Sequence, residues 1–321
     1  MMGDRLPRTH RGLRWSLRSL GLGLLLVVLA TQDWADLLAT LRAADLLWVA
    51  LTIPVFHAMV FFKVQRWRHL LRTQQVGYPP FAAYRAYLIG IFWGYVTPGR
   101  LGDFARVLYL RRDVRSPFAL GLASILMDRL ADLGMVVAVA AIGLLWLINS
   151  ASLWLSLPGL AVITLGVLWA WSPFLSWGSR LVERLLAQDQ RQFTDALARF
   201  TPGNLLLPAI YTLLAYGLYF LMCYCVGLAL DLGTSYHFIA ICVAAIGVAA
   251  LLPLSIGGFG SREALLAGLF ATQGLSTEAA LAYALLFFVT VWLIPGLAGL
   301  LLWQLDPIDD LQQQMRPTPA P

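Results

Sequence analysis

The sequence predicts an all-α polytopic membrane protein with about six full transmembrane helices plus two re-entrant broken-helix hairpins, arranged as an inverted repeat. Three observations predict it. Of the 321 residues, 60% are hydrophobic and only 12% are charged, about half the charged share of a soluble domain. Two proline- and glycine-rich breaks interrupt apolar runs, TPGRLGD at residues 97–103 and PLSIGGFG at 253–260. Arginine, finally, is concentrated in alternate connections, as expected where positive loops stay inside.

Length sets the element count. After short loops are subtracted, the chain has room for roughly eight apolar segments of about twenty residues and for no sizeable soluble domain. The formal charge of +6 is carried by scattered arginines with no basic-aromatic array, so topology explains it and nucleic acid is excluded as a partner. Cys223, Cys225 and Cys242 have no CxxC spacing and no neighbouring histidines. They read as small buried apolar residues, and neither a metal nor a cofactor is expected.

Taken in order, Arg5, Arg8, Arg11, Arg14 and Arg18 precede the apolar run 20–30, an uncleaved first span with a cytoplasmic N-terminus. Trp34, Leu37, Leu38 and Leu41 mark one face of a short interfacial helix. A second span covers 46–62 and ends in Lys63, Arg66, Arg68 and Arg72, where Arg66 and Arg68 read as interfacial anchors ahead of the alternative, ligands. His57 reads as a hydrogen-bonded helix contact. A turn at Gly77, Tyr78, Pro79 and Pro80 leads to an apolar stretch, 81–96, followed by the first break with Pro98, Gly99 and Gly102. Arginine flanks both ends, so both face the cytoplasm and the segment is a hairpin, tolerated at depth only when buried in protein or lining a wet cavity.

A proline-free run, 118–148, carries Asp128, Arg129 and Asp132 about ten residues in, roughly 15 Å deep at the helical rise. A fourth span is expected at 153–171, an inner interfacial helix after it, and a fifth span at 205–230. The second break, with Pro253, Gly257, Gly258 and Gly260, divides 237–252 from 264–271. Ser276 and Glu278 open the last span, which ends near Trp303, and residues 304–321 are expected to be a disordered cytoplasmic tail. Each half, 15–148 and 153–303 within a single membrane domain 1–321, then reads span, interfacial helix, span, hairpin, span. Three crossings per half is odd, so the second half runs inverted, a plan on which alternating-access transporters are built.

The stretches RWRHLL, TPGRLGDFAR, the MDR at Asp128 and Arg129, and LPLSIGGFGSREALL followed by GLSTEAALAYALL resemble the lysylphosphatidylglycerol synthase transmembrane-region, or flippase-like, family. The resemblance covers residues 46–303. It implies translocation of a lipid between leaflets, aminoacylated phosphatidylglycerol in the characterised case. No aminoacyl-transfer domain follows the last span, so synthase activity is not expected of this chain.

Arg100, Asp103 and Arg106 at the first break, Asp128 and Arg129 on the long span, and Ser255, Arg262 and Glu263 at the second are the candidate headgroup contacts, because ionisable groups at membrane depth are expensive. Each has a plainer alternative. Arg262 and Glu263 could be an ion pair that only fixes the hairpin, Arg106 a topology arginine, and Asp128, Arg129 and Asp132 a structural network. Ser255 lacks the strand-turn-helix setting and histidine of a nucleophile, so no catalytic residue is assigned and no enzyme activity is expected. The expected partners are membrane lipids: an anionic or aminoacylated phospholipid, or a polyprenyl-linked lipid. A membrane-embedded transferase and a non-catalytic partner of a separate lipid-modifying enzyme are the competing classes. The expected location is the bacterial cytoplasmic membrane, with both termini inside.

Overall fold

The computed structural model describes residues 34–147, 190–250 and 260–308. The described chain is helical throughout. The first span expected at 20–30, the fourth at 153–171, the start of the helix after it, and Pro253, Ser255, Gly257 and Gly258 lie outside the described residues.

A short helix α1 (Trp34–Arg42) leads into α2 (Leu46–Thr73). Asp45 caps α2 by accepting the Leu47 amide at 2.8 Å, satisfying one of the orphan donors of the first turn. At 28 residues α2 is about 40 Å long, more than the bilayer core requires, and it continues unbroken through the arginine-rich stretch expected to lie beyond the span. Helix α3 (Pro80–Val96) starts on a proline whose missing amide proton would have had no partner. A 3₁₀ segment (Pro98–Phe104) and α4 (Ala105–Val114) then lead to α5 (Phe118–Leu147). After α6 (Gln190–Ala198) come α7 (Pro202–Ala229), α8 (Tyr236–Ala249) and α9 (Ser261–Ala271). Helix α10 (Thr277–Phe287) passes through a π-helical stretch (Phe288–Leu293) into α11 (Ile294–Leu305), one rod of 29 residues. The last helix runs to Leu305 and Asp306 is tied down by arginines, so residues 304–306 are part of the folded structure; residues 309–321 lie outside the described residues.

Helices α2, α7 and the α10–α11 rod are each long and apolar enough to cross a membrane. Leu285, Val289, Leu293, Leu297, Leu301 and Leu305 form an exposed row at every fourth position of the last rod, an apolar stripe that water would not tolerate but hydrocarbon would.

Chain reversals are fixed by close contacts. Gly94 faces Asp103, Gly90 faces Arg106, and Tyr78 and Arg85 both reach Asp113, so α4 runs back antiparallel along α3. A Cβ at Gly94 would stand 2.7 Å from the Asp103 carboxylate, and one at Gly102 would stand 2.1 Å from the Trp93 carbonyl oxygen. Only glycine allows the two legs to touch there. Thr97 stitches the reversal, donating to the Trp93 carbonyl at 2.7 Å and accepting the Gly102 amide at 2.6 Å. The second pair of legs, α8 and α9, is also antiparallel, since the ring of Phe238 near the start of one packs against that of Phe270 near the end of the other, with centroids 5.9 Å apart.

The two halves interlock. Helices α2 and α7 lie antiparallel, joined by Arg66 to Thr212, His69 to the Asn204 carbonyl, and Asp45 to the Ala229 carbonyl. Helix α3 packs on α11, where Gly299 sits directly against the Leu88 carbonyl, and α8 packs on α5, where Gly143 receives Ile241. Each pair of reversed legs therefore leans on the long helix of the other half.

Candidate functional site

The charges the sequence scatters over three segments converge on one buried network. Asp128 on α5 accepts from Arg66 Nε at 2.8 Å through Oδ1 and from Arg106 Nη1 at 3.0 Å through Oδ2. Asp132, one turn further along, is 2.7 Å from Arg66 Nη2 and 2.8 Å from Lys63 Nζ. Asp103, at the first break, lies 2.9 Å from Arg129 Nη1 and 3.3 Å from Arg100 Nε. Its Oδ2 makes these contacts without hydrogen-bond alignment, as ionic contacts only. The Thr212 hydroxyl accepts from Arg66 Nη1 at 3.0 Å, and the Tyr87 hydroxyl donates to Asp128 at 3.3 Å.

Helical spacing explains the convergence. Asp128 and Asp132 are four apart and share a face of α5; Lys63 and Arg66 are three apart and share a face of α2. Arg106 reaches the same point because the glycines of α3 let its leg fold close. Its guanidinium then lies over the rings of Tyr87 at 4.4 Å and Trp67 at 4.9 Å, faces that attract a cation. Arg100 adopts a left-handed φ of 56°, which turns its side chain over the Tyr95 ring at 5.2 Å.

Exposure is graded across the network. Arg66, Asp128, Asp103 and Arg106 are sealed, whereas Lys63 and Asp132 are 12% and 13% exposed, Arg129 is 21% and Arg100 is 47%. One side is packed shut and the other opens at Arg129 and Arg100. Two buried donors, Arg106 Nη2 and Arg129 Nε, have no hydrogen-bond partner. Such donors normally find one.

The second break is built differently. Glu263 accepts the Gly260 amide at 2.6 Å, closing the start of α9 where Gly260 takes a φ of 83°. Arg262 pairs with the adjoining Glu263. Its guanidinium lies 5.9 Å from the Phe287 ring and 6.0 Å from the Phe288 ring. One turn further along the same rod, Tyr95 stacks on Trp292 at 4.6 Å and donates to the Val291 carbonyl at 2.9 Å, inside the π-helical stretch. Both reversals thus touch the last rod about one turn apart, yet Arg262 and Glu263 form no ion pair with the network of the first.

A further cluster lies at the other end of the first reversal. Arg112 grips the Asp306 carboxylate with two bonds of 2.8 Å, and Arg85 reaches Asp306 at 2.9 Å and Asp113 at 3.3 Å. Tyr78 donates to Asp113 at 2.9 Å, and Tyr109 donates to the Asp306 carbonyl at 2.9 Å. The fork from Arg112 holds the Asp306 carboxyl below its ordinary range.

Of the residues singled out from sequence, Arg100, Asp103, Arg106, Asp128 and Arg129 come together, with Asp132, while Arg262 and Glu263 stand apart; Ser255 lies outside the described residues. Arg66 is a correction. It is wholly buried at the centre of the network and is no interfacial anchor. Its position in a run of arginines at a helix end masked it, and its spacing of three from the chain's one lysine was the available signal. Arg68 donates to the Tyr78 carbonyl at 2.9 Å and to Gln65 at 2.8 Å. His57 bonds Tyr84 at 2.5 Å, as a helix contact should. A small hollow lined by Thr52, Phe56, His57 and Thr290 lies between α2 and the last rod, roughly 9 Å along α2 from Lys63. Among the described residues no group of histidine, cysteine or acidic side chains could hold a metal.

A family model described as the lysylphosphatidylglycerol synthase TM region matches residues 17–299. A UPF0104 membrane protein of Methanothermobacter thermautotrophicus is 22% identical over 306 residues, covering 84% of this chain and 86% of the relative. No solved structure matches the chain.

Proposed function

The chain belongs to the lysylphosphatidylglycerol synthase TM region family, and from that premise we propose that it translocates a lipid with a phosphate-containing headgroup between the leaflets of a cytoplasmic membrane. The observation that carries the reading is the buried network of Lys63, Arg66, Arg100, Arg106 and Arg129 around Asp103, Asp128 and Asp132, set where a reversed pair of legs meets the long helices. Groups this costly to bury are kept at membrane depth when they handle a polar cargo.

In this reading α3–α4 and α8–α9 are re-entrant hairpins entering from opposite faces, and α2 with α5 and α7 with the last rod are the crossings of two inverted halves. The antiparallel α2–α7 pair and the reciprocal packing of each hairpin on the other half support that symmetry. Arginine donors hold the phosphate while the acyl chains stay in hydrocarbon. The packed side of the network is the occluded one, and passage requires the hairpin to shift against α5 and the last rod.

Reconstituted protein should accelerate leaflet exchange of a fluorescent phospholipid in vesicles, and Arg129→Gln should abolish the acceleration while the protein still reconstitutes. A lack of exchange with anionic, aminoacylated and polyprenyl-linked lipids alike would reject the reading. Covalent change of the lipid by the purified protein would assign it instead to the transferase class.

A further inference from the structure

The network is not electrically balanced. Lys63, Arg66, Arg100, Arg106 and Arg129 face Asp103, Asp128 and Asp132, each carboxylate bridging at least two cations, so two positive charges have no carboxylate of their own. Among the described residues no fourth carboxylate touches the group: Glu263 is paired with Arg262, and Asp113 and Asp306 belong to the cluster at the other end of α4. An uncompensated charge with restricted access to water is unfavourable, so the excess favours an anion from outside the chain. An unpartnered donor points to the same need, since Arg129 Nε, on the open side, is buried without an acceptor.

We propose that the open side of the network, formed by Arg100, Arg129 and Lys63, is a seat for a net-anionic phosphate ester that carries no ammonium group. Arginine supplies the planar donors that match phosphate oxygens, and Arg100 is the most accessible of the cations. An ammonium has no matching receptor. Asp103 and Asp128 are sealed, and Asp132 is already bonded to Lys63 and Arg66, so a headgroup amine adds a like charge to a site with an excess. The inference rests on the translocation reading and sharpens it: phosphatidic acid and phosphatidylglycerol are accepted, whereas phosphatidylethanolamine and lysylated phosphatidylglycerol are discriminated against.

The test uses the purified full chain in a non-ionic detergent. Retained lipid is measured by native mass spectrometry and the apparent unfolding temperature is followed, with those four lipids and inorganic phosphate as separate probes. Phosphatidic acid and phosphatidylglycerol should be retained at least about tenfold more strongly than phosphatidylethanolamine, with lysyl-phosphatidylglycerol no better than the latter, the factor expected for a single charge-assisted hydrogen bond. Arg100→Asn removes the cation and tolerates the left-handed backbone, so it should fold and lose about that factor for the anionic lipids alone. Lys63→Gln gives an independent variant on another helix and should reduce the same preference. Protection by inorganic phosphate as well supports a seat for phosphate itself; protection by the lipids alone supports phosphate held together with its acyl chains. Equal retention of phosphatidylethanolamine, preference for the lysylated lipid, or an undiminished preference in both variants would overturn the proposal. Anionic selectivity without leaflet exchange removes translocation and leaves the seat; exchange without charge preference does the reverse.

Discussion

The two reversals, α3–α4 and α8–α9, look alike in sequence and differ in how they settle their charges. Both combine glycine and proline with an arginine and a carboxylate, and both touch the last rod. At the second, Glu263 closes its own helix start and serves the adjoining arginine, so the carboxylate works within a span of four residues. At the first, Asp103 and Arg106 reach Arg129 and Asp128 on a neighbouring helix, and through them Arg66 on another. A charge whose counter-ion is a chain neighbour fixes local shape. A charge whose counter-ions lie on other helices couples the positions of those helices, and among the described residues it is at the first reversal that cations outnumber carboxylates.

The sharpest way to break this contrast is Asp128→Asn, which preserves shape and leaves Arg66 and Arg106 buried with one carboxylate fewer. A loss of about 3–5 kcal/mol is expected, enough to remove most folded protein, read as yield and monodispersity in detergent. Next comes Gly102→Ala, whose new methyl group meets the backbone carbonyl of Trp93 and forces the legs apart. The cost should be on the order of 3 kcal/mol in thermal unfolding, with lipid exchange lost as well. Glu263→Gln should cost less, about 1–2 kcal/mol, because the amide oxygen still accepts the Gly260 amide and only the charge on Arg262 loses its neighbour. An effect as large as that of Asp128→Asn would erase the distinction between the two reversals.

The smallest effect is expected at the partly exposed Arg112–Asp306 fork, where Asp306→Asn should cost less than about 1 kcal/mol. Its pH dependence has a defined sign. The folded-state carboxyl titrates below its ordinary value, so the stabilisation is complete above the ordinary carboxylate range and is lost as acid protonates the folded form. Wild type and Asp306→Asn should therefore converge in acid and differ at neutral pH, measured as unfolding temperature against pH.

Much of the helical plan was legible in the sequence. Proline and glycine at 98–102 announced the first reversal because no regular helix passes through them, and the run from 118 emerged as one helix of 30 residues. Asp128 and Arg129 were legible as expensive groups at depth. The role of Arg66 was not, because a helix end rich in arginine has the same composition whether its side chains point to water or inward. Which face is buried depends on what packs against it, here α5 and α7, and that is a property of distant sequence. Thr212, Tyr87 and the Asp306 cluster were hidden for the same reason, each being an ordinary residue until its partner is known.

The reciprocal packing of α3 on α11 and of α8 on α5 also bears on biosynthesis. When the first half leaves the ribosome, the surface of α3 around Leu88 and Phe92 lacks its partners Gly299 and Trp303 until the final rod has been translated. Insertion of the individual helices can be sequential, but their assembly must wait for the last one.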